Sequence, residues 1–234
     1  MNKLTAPLVL ALSVLSGNAS ADFLGLYVGG GVWDHDAVGP INSIDMETDL
    51  GYKGETDSYG YIAFEHFVPL VPNVRIERAS MGHTGIATAG VTFNGAPVAI
   101  GDSSSISLDT TDKIVYWRLL DNWVNADFGF NFRRLDADFL IGANSITLSK
   151  SVPMLYLAAQ LDLPFSGFSV GADINQISVS DIKYQEMRVR AIYEIGVVGF
   201  EAGMRSTVIK LKGLSGINAD LEFKGMMVGA FLHF

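Results

Sequence analysis

The side chains best equipped for chemistry in this sequence are single charges set among apolar neighbours at a spacing of two. Glu65 closes Tyr61-Ile-Ala-Phe-Glu65, Arg75 and Glu77 interrupt Val74-Arg-Ile-Glu77, and Arg118 follows Ile114-Val-Tyr-Trp117. Asp127 and Arg133 bound Asp127-Phe-Gly-Phe-Asn-Phe-Arg133. Asp162, Asp173, Glu186, Arg188, Arg190, Glu194, Glu201 and Arg205 recur in the same manner towards the C-terminus. Carboxylates and guanidiniums on one face of successive strands have two uses. They line a water-filled path that selects solutes by charge, or they close on one another as Arg–carboxylate forks that fill a narrow interior. The signs are interleaved, which permits full pairing. The filled interior is the expectation and a weakly selective pore the alternative.

Acid–base chemistry has fewer candidates. A histidine beside a carboxylate can serve as a general base, which singles out Asp34-His35-Asp36 and His83 with Ser80 or Ser103. No His-Glu-x-x-His is present, and Gly213-Leu-Ser-Gly216 misses the nucleophile-elbow pattern. Solvated loop residues are the plainer reading, so no catalytic residue is assigned. The acidic run Asp45, Glu47, Asp49, Glu55 and Asp57 lacks the spacing of a calcium loop. Gly25, Gly29 and Gly31 lead to Asp34 without the dinucleotide spacing. Neither a metal nor a cofactor is expected, and the absence of cysteine removes thiolate sites and disulfides.

The elements that carry these charges read as strands, because side chains alternate between two faces with a period of two. Phe128, Phe130 and Phe132 oppose Asp127, Gly129, Asn131 and Arg133. Leu155, Leu157, Ala159 and Leu161 oppose Tyr156, Ala158, Gln160 and Asp162. The last segment places Met226, Val228, Ala230, Leu232 and the terminal Phe234 on one face. Faces of that kind, each greasy and each backed by charge, suit hydrocarbon on one side and a polar interior on the other. Hydrophobic residues make up 49% of the chain, yet no stretch after the N-terminus is long enough for an apolar helical span. The start itself, Asn2-Lys3, then Leu8–Leu15, then Ala19-Ser-Ala21, has the form of a secretory signal peptide over residues 1–21. The remainder, 22–234, is expected to be one domain.

About ten strands can be counted, or eight if a weak segment belongs to a loop. Tight links are expected at Val68–Asn73, Leu120–Asn125, Leu163–Gly167 and Ile195–Val197. Long polar connections are expected over Asp34–Asp57, from about His83 to Leu108, and after Arg133, with a hairpin at Phe93-Asn-Gly95. The expected fold is all-β, a transmembrane up-and-down antiparallel barrel, with the tight links periplasmic. Arg78 breaks the facing rule, which places it near the outer rim, where a long basic side chain reaches headgroups. Trp117 and Trp123 suit an interfacial aromatic girdle.

Three stretches, Ala21-Asp-Phe-Leu-Gly-Leu-Tyr-Val-Gly29, Phe64-Glu-His-Phe-Val-Pro-Leu-Val-Pro-Asn-Val-Arg75 and Leu119-Leu-Asp-Asn-Trp-Val-Asn125, together with Pro153-Met-Leu-Tyr156 and Leu163-Pro-Phe165, carry a resemblance. The chain resembles a family of small, functionally uncharacterised outer-membrane β-barrel proteins of Gram-negative bacteria. That resemblance implies the barrel fold and an outer-membrane location, and it transfers no catalytic residue. The closing strand ending in Leu232 and Phe234 likewise resembles the C-terminal signature read by the barrel-assembly machinery. Outer-membrane lipid and that machinery are therefore the expected partners. Nucleic acid is not, since the net charge of −9 offers no basic face to phosphates. The expected role is structural, surface-interacting or that of a narrow pore. A hydrolase with its site at the extracellular mouth and a small-solute channel are the alternatives.

Overall fold

The computed structural model describes residues 24–68, 70–214 and 216–234, so the leader expected over residues 1–21 lies outside it. In chain order the strands are β1 (Leu24–Val38), β2 (Pro40–Ile41), β3 (Ile44–Asp45), β4 (Glu55–His66), β5 (Asn73–Ile86), β6 (Val91–Phe93) and β7 (Ala96–Val98). They continue with β8 (Ser103–Asp121), β9 (Val124–Ile141), β10 (Asn144–Leu163), β11 (Phe168–Val179), β12 (Ile182–Ile195), β13 (Val198–Leu214) and β14 (Ile217–His233). No helix occurs among the described residues. Ten of these strands pair antiparallel in the order β1-β4-β5-β8-β9-β10-β11-β12-β13-β14, and β14 pairs back onto β1. The closing seam runs from Tyr27 opposite His233 to Val38 opposite Glu222. The result is a closed ten-strand barrel, which decides the strand count against eight. β2 and β3 form a flap attached through Ile41 to Ala219 of β14, and β6 and β7 form a separate hairpin.

Each wall strand exists because its two parities want different surroundings. Ile62 and Phe64, Phe130 and Phe132, Leu155 and Leu157, Met187 and Val189, and Met226 and Val228 all point away from the lumen and are exposed. On the opposite parity, Glu77, Arg133, Asp173, Glu186, Arg188, Glu201 and Arg205 are buried. Glycine on the inner parity of β1 makes room for aromatic side chains. A methyl group at Gly29 would lie 2.6 Å from Cβ of Phe231 and 2.7 Å from the Tyr61 ring. Trp123 is exposed at a tight turn, and Trp117 donates its indole N–H to the Leu70 carbonyl at 3.0 Å.

The four tight links fall where expected, but the polar loop expected after Arg133 does not, and the other two are shorter than expected. The wall continues through Asp34 to Val38, and β9 and β10 run on past Arg133 to a turn at Gly142-Ala143. The cause is an inversion of polarity along the wall. Beyond the apolar belt the outward residues are Arg134, Asp136 and Asp138, while Leu135, Ala137, Phe139 and Ile141 face in and are buried. The alternation persists with its sense reversed, as in a barrel standing in water. Of the connections at that end only residues 39–54 and 87–102 are long, and the second contains the hairpin at Asn94-Gly95. Both turn residues have positive φ, 49° and 81°, which the favoured two-residue hairpin turn requires.

If the belt touches hydrocarbon, charge there must be costly. Phe130→Arg, between Phe128 and Phe132, is expected to destabilise the folded barrel by about 2–4 kcal/mol. Leu140→Arg, on the same face of β9 but beyond the belt, is expected to cost little. Urea titrations of protein folded into liposomes measure both.

Candidate functional site

The lumen is where the sequence concentrated its charge, and it is built in three tiers. In the middle tier five arginines meet five carboxylates. Arg133 of β9 grips both oxygens of Asp112 on β8 and donates from Nη1 to Glu186 Oε2 at 2.8 Å. Arg205 of β13 donates to the same Glu186 oxygen at 2.8 Å. Arg188 of β12 donates to Asp173 at 2.8 Å and reaches across the lumen to Glu77 of β5 at 2.6 Å. Arg75 donates to Glu77 at 2.7 Å, while Arg190 joins Asp173 at 2.9 Å to Glu201 at 2.7 Å. The Tyr59 hydroxyl donates to the remaining Glu201 oxygen at 2.7 Å. Aromatic faces cover the guanidiniums: Arg75 lies 3.8 Å from the Tyr61 ring centre, Arg205 4.6 Å from Trp33 and Arg133 4.8 Å from Tyr184. Nearly all these groups are out of water, so their charges are compensated inside the lattice or not at all.

Towards the termini lies an open vestibule. Arg118 joins Glu65 at 2.8 Å to Asp127 at 3.1 Å, and the Tyr116 hydroxyl donates to Glu65 at 2.6 Å. Asp162 accepts from Asn125 at 2.7 Å and Gln160 at 2.8 Å, and Glu194 meets His233 at 3.2 Å. These groups surround a cavity of about 450 Å³ that stops at the arginine lattice. At the opposite end the lumen is apolar. Ile41, Ile44, Met46, Leu50, Phe93 and Val98 from the two long connections pack on Leu135, Phe139, Leu221 and Phe223 of the wall.

Every charged residue singled out for the interior in the sequence is turned into the lumen, in the middle tier or the vestibule. The sequence reading missed Asp112, the bidentate partner of Arg133. Its signal was present, because Asp112 shares the parity of Ile114, Tyr116 and Arg118. The acid–base candidates fare differently. His35 and His83 do come together, Nδ1 to Nε2 at 3.0 Å, with His35 Nε2 3.3 Å from Asp57 and His83 Nδ1 2.8 Å from the Lys53 carbonyl. They are not solvated loop residues at a mouth, however: both are buried beneath the apolar cap, at 2% and 1% exposure. Asp57 sits where the β4–β5 pairing ends at Tyr59 and Ala79, accepting the Gly82 N–H. Ser80 and Ser103 supply no nucleophile. Ser80 lies on the outer parity of β5, where it donates to Asp109 at 2.7 Å, and Ser103 begins β8 exposed. Within the acidic loop, Asp45 accepts from the Glu47 and Thr48 amides and the Thr48 hydroxyl, which makes it a turn-forming residue. Leu232 faces outward in the belt, and Phe234 exchanges backbone hydrogen bonds with Leu26.

No family model matches this chain, and no curated protein matches it. Among solved structures it is similar to the translocator domain of the autotransporter NalP from Neisseria meningitidis, at a TM-score of 0.45 and 10% identity over 98% of this chain and 94% of that one. It is also similar to the outer membrane protease OmpT from Escherichia coli, at 0.48 and 8% over 94% and 99%. The transport unit of the autotransporter AIDA-I from Escherichia coli gives 0.43 and 8% over 97% and 95%. At these scores the likenesses carry no argument about what this chain does.

Two outcomes follow from the geometry. Glu186→Ala leaves Arg133 and Arg205 short of an anion in a site without water, an expected loss of about 3–5 kcal/mol. Urea titration at neutral pH measures it. His35 lies beyond the belt, among outward neighbours Asp34, Asp36 and Lys224, and its pKa is lowered to about 4. Burial is the main cause, His83 adds to it, and Asp57 opposes it. A folded-state pKa below the unfolded value means that the folded chain resists protonation. The stability it contributes is present above about pH 6.5 and is lost as pH falls towards 4. His35→Phe is expected to flatten that part of the pH–stability curve.

Proposed function

We propose that the chain is an integral protein of the bacterial outer membrane with a sealed lumen, serving a structural or surface-interaction role rather than conducting solutes. One observation carries the reading: the Arg–carboxylate lattice spans the lumen wall to wall, from Arg188 on β12 to Glu77 on β5, with an apolar cap stacked above it. A pore lined by charge would leave those groups facing water. The belt of outward Ile, Leu, Val and Phe supports the membrane location, because it would otherwise be a large exposed apolar surface. The leader-like residues 1–21 support passage across the inner membrane, and Leu232 with Phe234 at the closing strand support recognition by the barrel-assembly machinery. Membership of the small barrel family resembled by the sequence is part of the same proposal. The mouth-hydrolase alternative has little support, since its two histidines are sealed under the cap. The channel alternative is opposed by the lattice itself.

The purified, folded barrel is expected to give no single-channel steps in planar bilayers. Reproducible conductance steps from the native protein would return the narrow-pore reading.

A further inference from the structure

We infer that the outer wall around Arg78, Lys113 and Arg134 binds the phosphate-bearing headgroup of an outer-leaflet lipid. This rests on the outer-membrane reading. The three residues form a triangle on the lipid-facing side of β5, β8 and β9. The register sets Arg78 and Arg134 on either side of Thr111, and Lys113 is the next outward residue along β8. Strand spacing places the Cα atoms of Arg78 and Arg134 about 10 Å apart, and that of Lys113 about 7 Å from Thr111. Long side chains close those gaps easily around one phosphorylated headgroup.

Their placement is the second part of the argument. Lys113 pairs in register with Ile76 on one side and Phe132 on the other. The next outward row holds Val74, Val115 and Phe130, so acyl chains have a surface directly beneath the cations. A cation at that depth is costly unless its head reaches an anion at the interface. Arg134 spends Nε on Asp136 at 2.8 Å and Nη2 on Ser149 at 3.3 Å, whereas Arg78 and Lys113 make no ion pair with any described residue. Carboxylates also face this side, and they decide between lipid and free anion. Asp109, bound to Ser80, and Asp136 occupy the row above, lining one shallow cleft with Arg78 and Thr111. An anion free to move would meet their repulsion. A lipid is held below them by its chains, level with the three cations. Outward lysine and arginine side chains among the described residues, Lys183, Lys210 and Lys224 included, all lie at this end of the wall, and none lies at the vestibule end. Asp34, Asp36, Asp138 and Asp220 are exposed at the same end, so the site is set by the triangle and not by net charge.

The test uses the full barrel in detergent, with folding verified by its heat-modifiable mobility before any lipid is added. Bis-phosphorylated lipid A, its dephosphorylated form and inorganic phosphate are the probes, and native mass spectrometry or thermophoresis gives the affinity. At about fivefold per basic residue near an anionic surface, R78Q/K113Q is expected to bind lipid A roughly 30-fold more weakly than the native protein. K183Q/K212Q, changed at the same end but outside the triangle, is expected to bind normally. Equal affinity of R78Q/K113Q and native protein would overturn the site, as would equal binding of dephosphorylated lipid. Displacement by millimolar inorganic phosphate would make it an ion site and overturn the lipid assignment. A protein that never shows the folded, heat-modifiable form fails earlier, and that failure belongs to the membrane reading.

Discussion

Charge neutrality inside a water-poor lumen is the constraint from which the rest of this barrel follows. Arg75, Arg133, Arg188, Arg190 and Arg205 face Glu77, Asp112, Asp173, Glu186 and Glu201, equal numbers of each sign. None of these charges can be removed alone without stranding its partner. Most of these pairings stay within one strand or between neighbouring strands, but two cross the lumen. Arg188 and Glu77 are 111 residues apart, and Arg133 and Glu186 are 53 apart. Such contacts exist only once the wall has curved back upon itself. The lattice therefore couples lumen neutrality to closure of the β1–β14 seam. It also bounds the diameter, because a single arginine must reach from β12 to β5.

The wall obeys the same matching rule on its outside, and there it changes partner part-way along. Through the belt the outer parity is apolar and the inner parity charged. Beyond it, on β9 and β10, the outer parity carries Asp136, Asp138, Thr147 and Ser149, which hydrogen-bond to one another across the pair. The inner parity there carries Leu135, Phe139 and Leu148, which take up Met46, Leu50 and Phe93 from the long connections. One continuous hairpin thus belongs to two media. The switch falls between Phe132 and Arg134 on β9, one residue pair, which is as sharp as a period of two allows.

That switch also explains what could and could not be read in the sequence. Segments such as Asp127–Arg133 were legible because a charged inner face opposite phenylalanine has few interpretations. Beyond the belt, outward Arg134, Asp136 and Asp138 have the chemistry of a loop wherever a greasy outer face is expected, which hides the strand there. The alternation was still there in Leu135, Ala137 and Phe139, with its sense reversed. The charged interior was legible as a set but not as pairs, because register across ten strands lies beyond local pattern. Asp112 escapes for a smaller reason: the apolar alternation is plain only from Ile114, whereas β8 begins at Ser103. The burial of His35 and His83 had no local signal at all. It depends on a cap contributed by residues 39–54 and 87–102, whose folding inward is a tertiary event.

An apolar core would fill so narrow a lumen at lower electrostatic risk, so the charged lattice needs a reason beyond stability. Met187-Arg-Val-Arg-Ala-Ile-Tyr-Glu-Ile-Gly-Val-Val-Gly-Phe-Glu-Ala-Gly-Met204 suggests one. With Arg188, Arg190 and Glu201 of the lattice and Glu194 of the vestibule replaced by aliphatic residues, that run would be apolar throughout. Unbroken apolar runs approach what a bilayer accepts as a helical span, whereas an alternating strand carries a far weaker signal per residue. On the proposed route across the inner membrane, each strand must remain too polar to stop there, and it can be greasy on only one face. The half beyond the belt follows the same logic by contrast: its lumen is apolar because its outer face is polar, so alternation is kept there too. Sealing the belt region with paired charge satisfies transit and closure together, and it leaves the outer wall and the vestibule as the surfaces on which this protein can act.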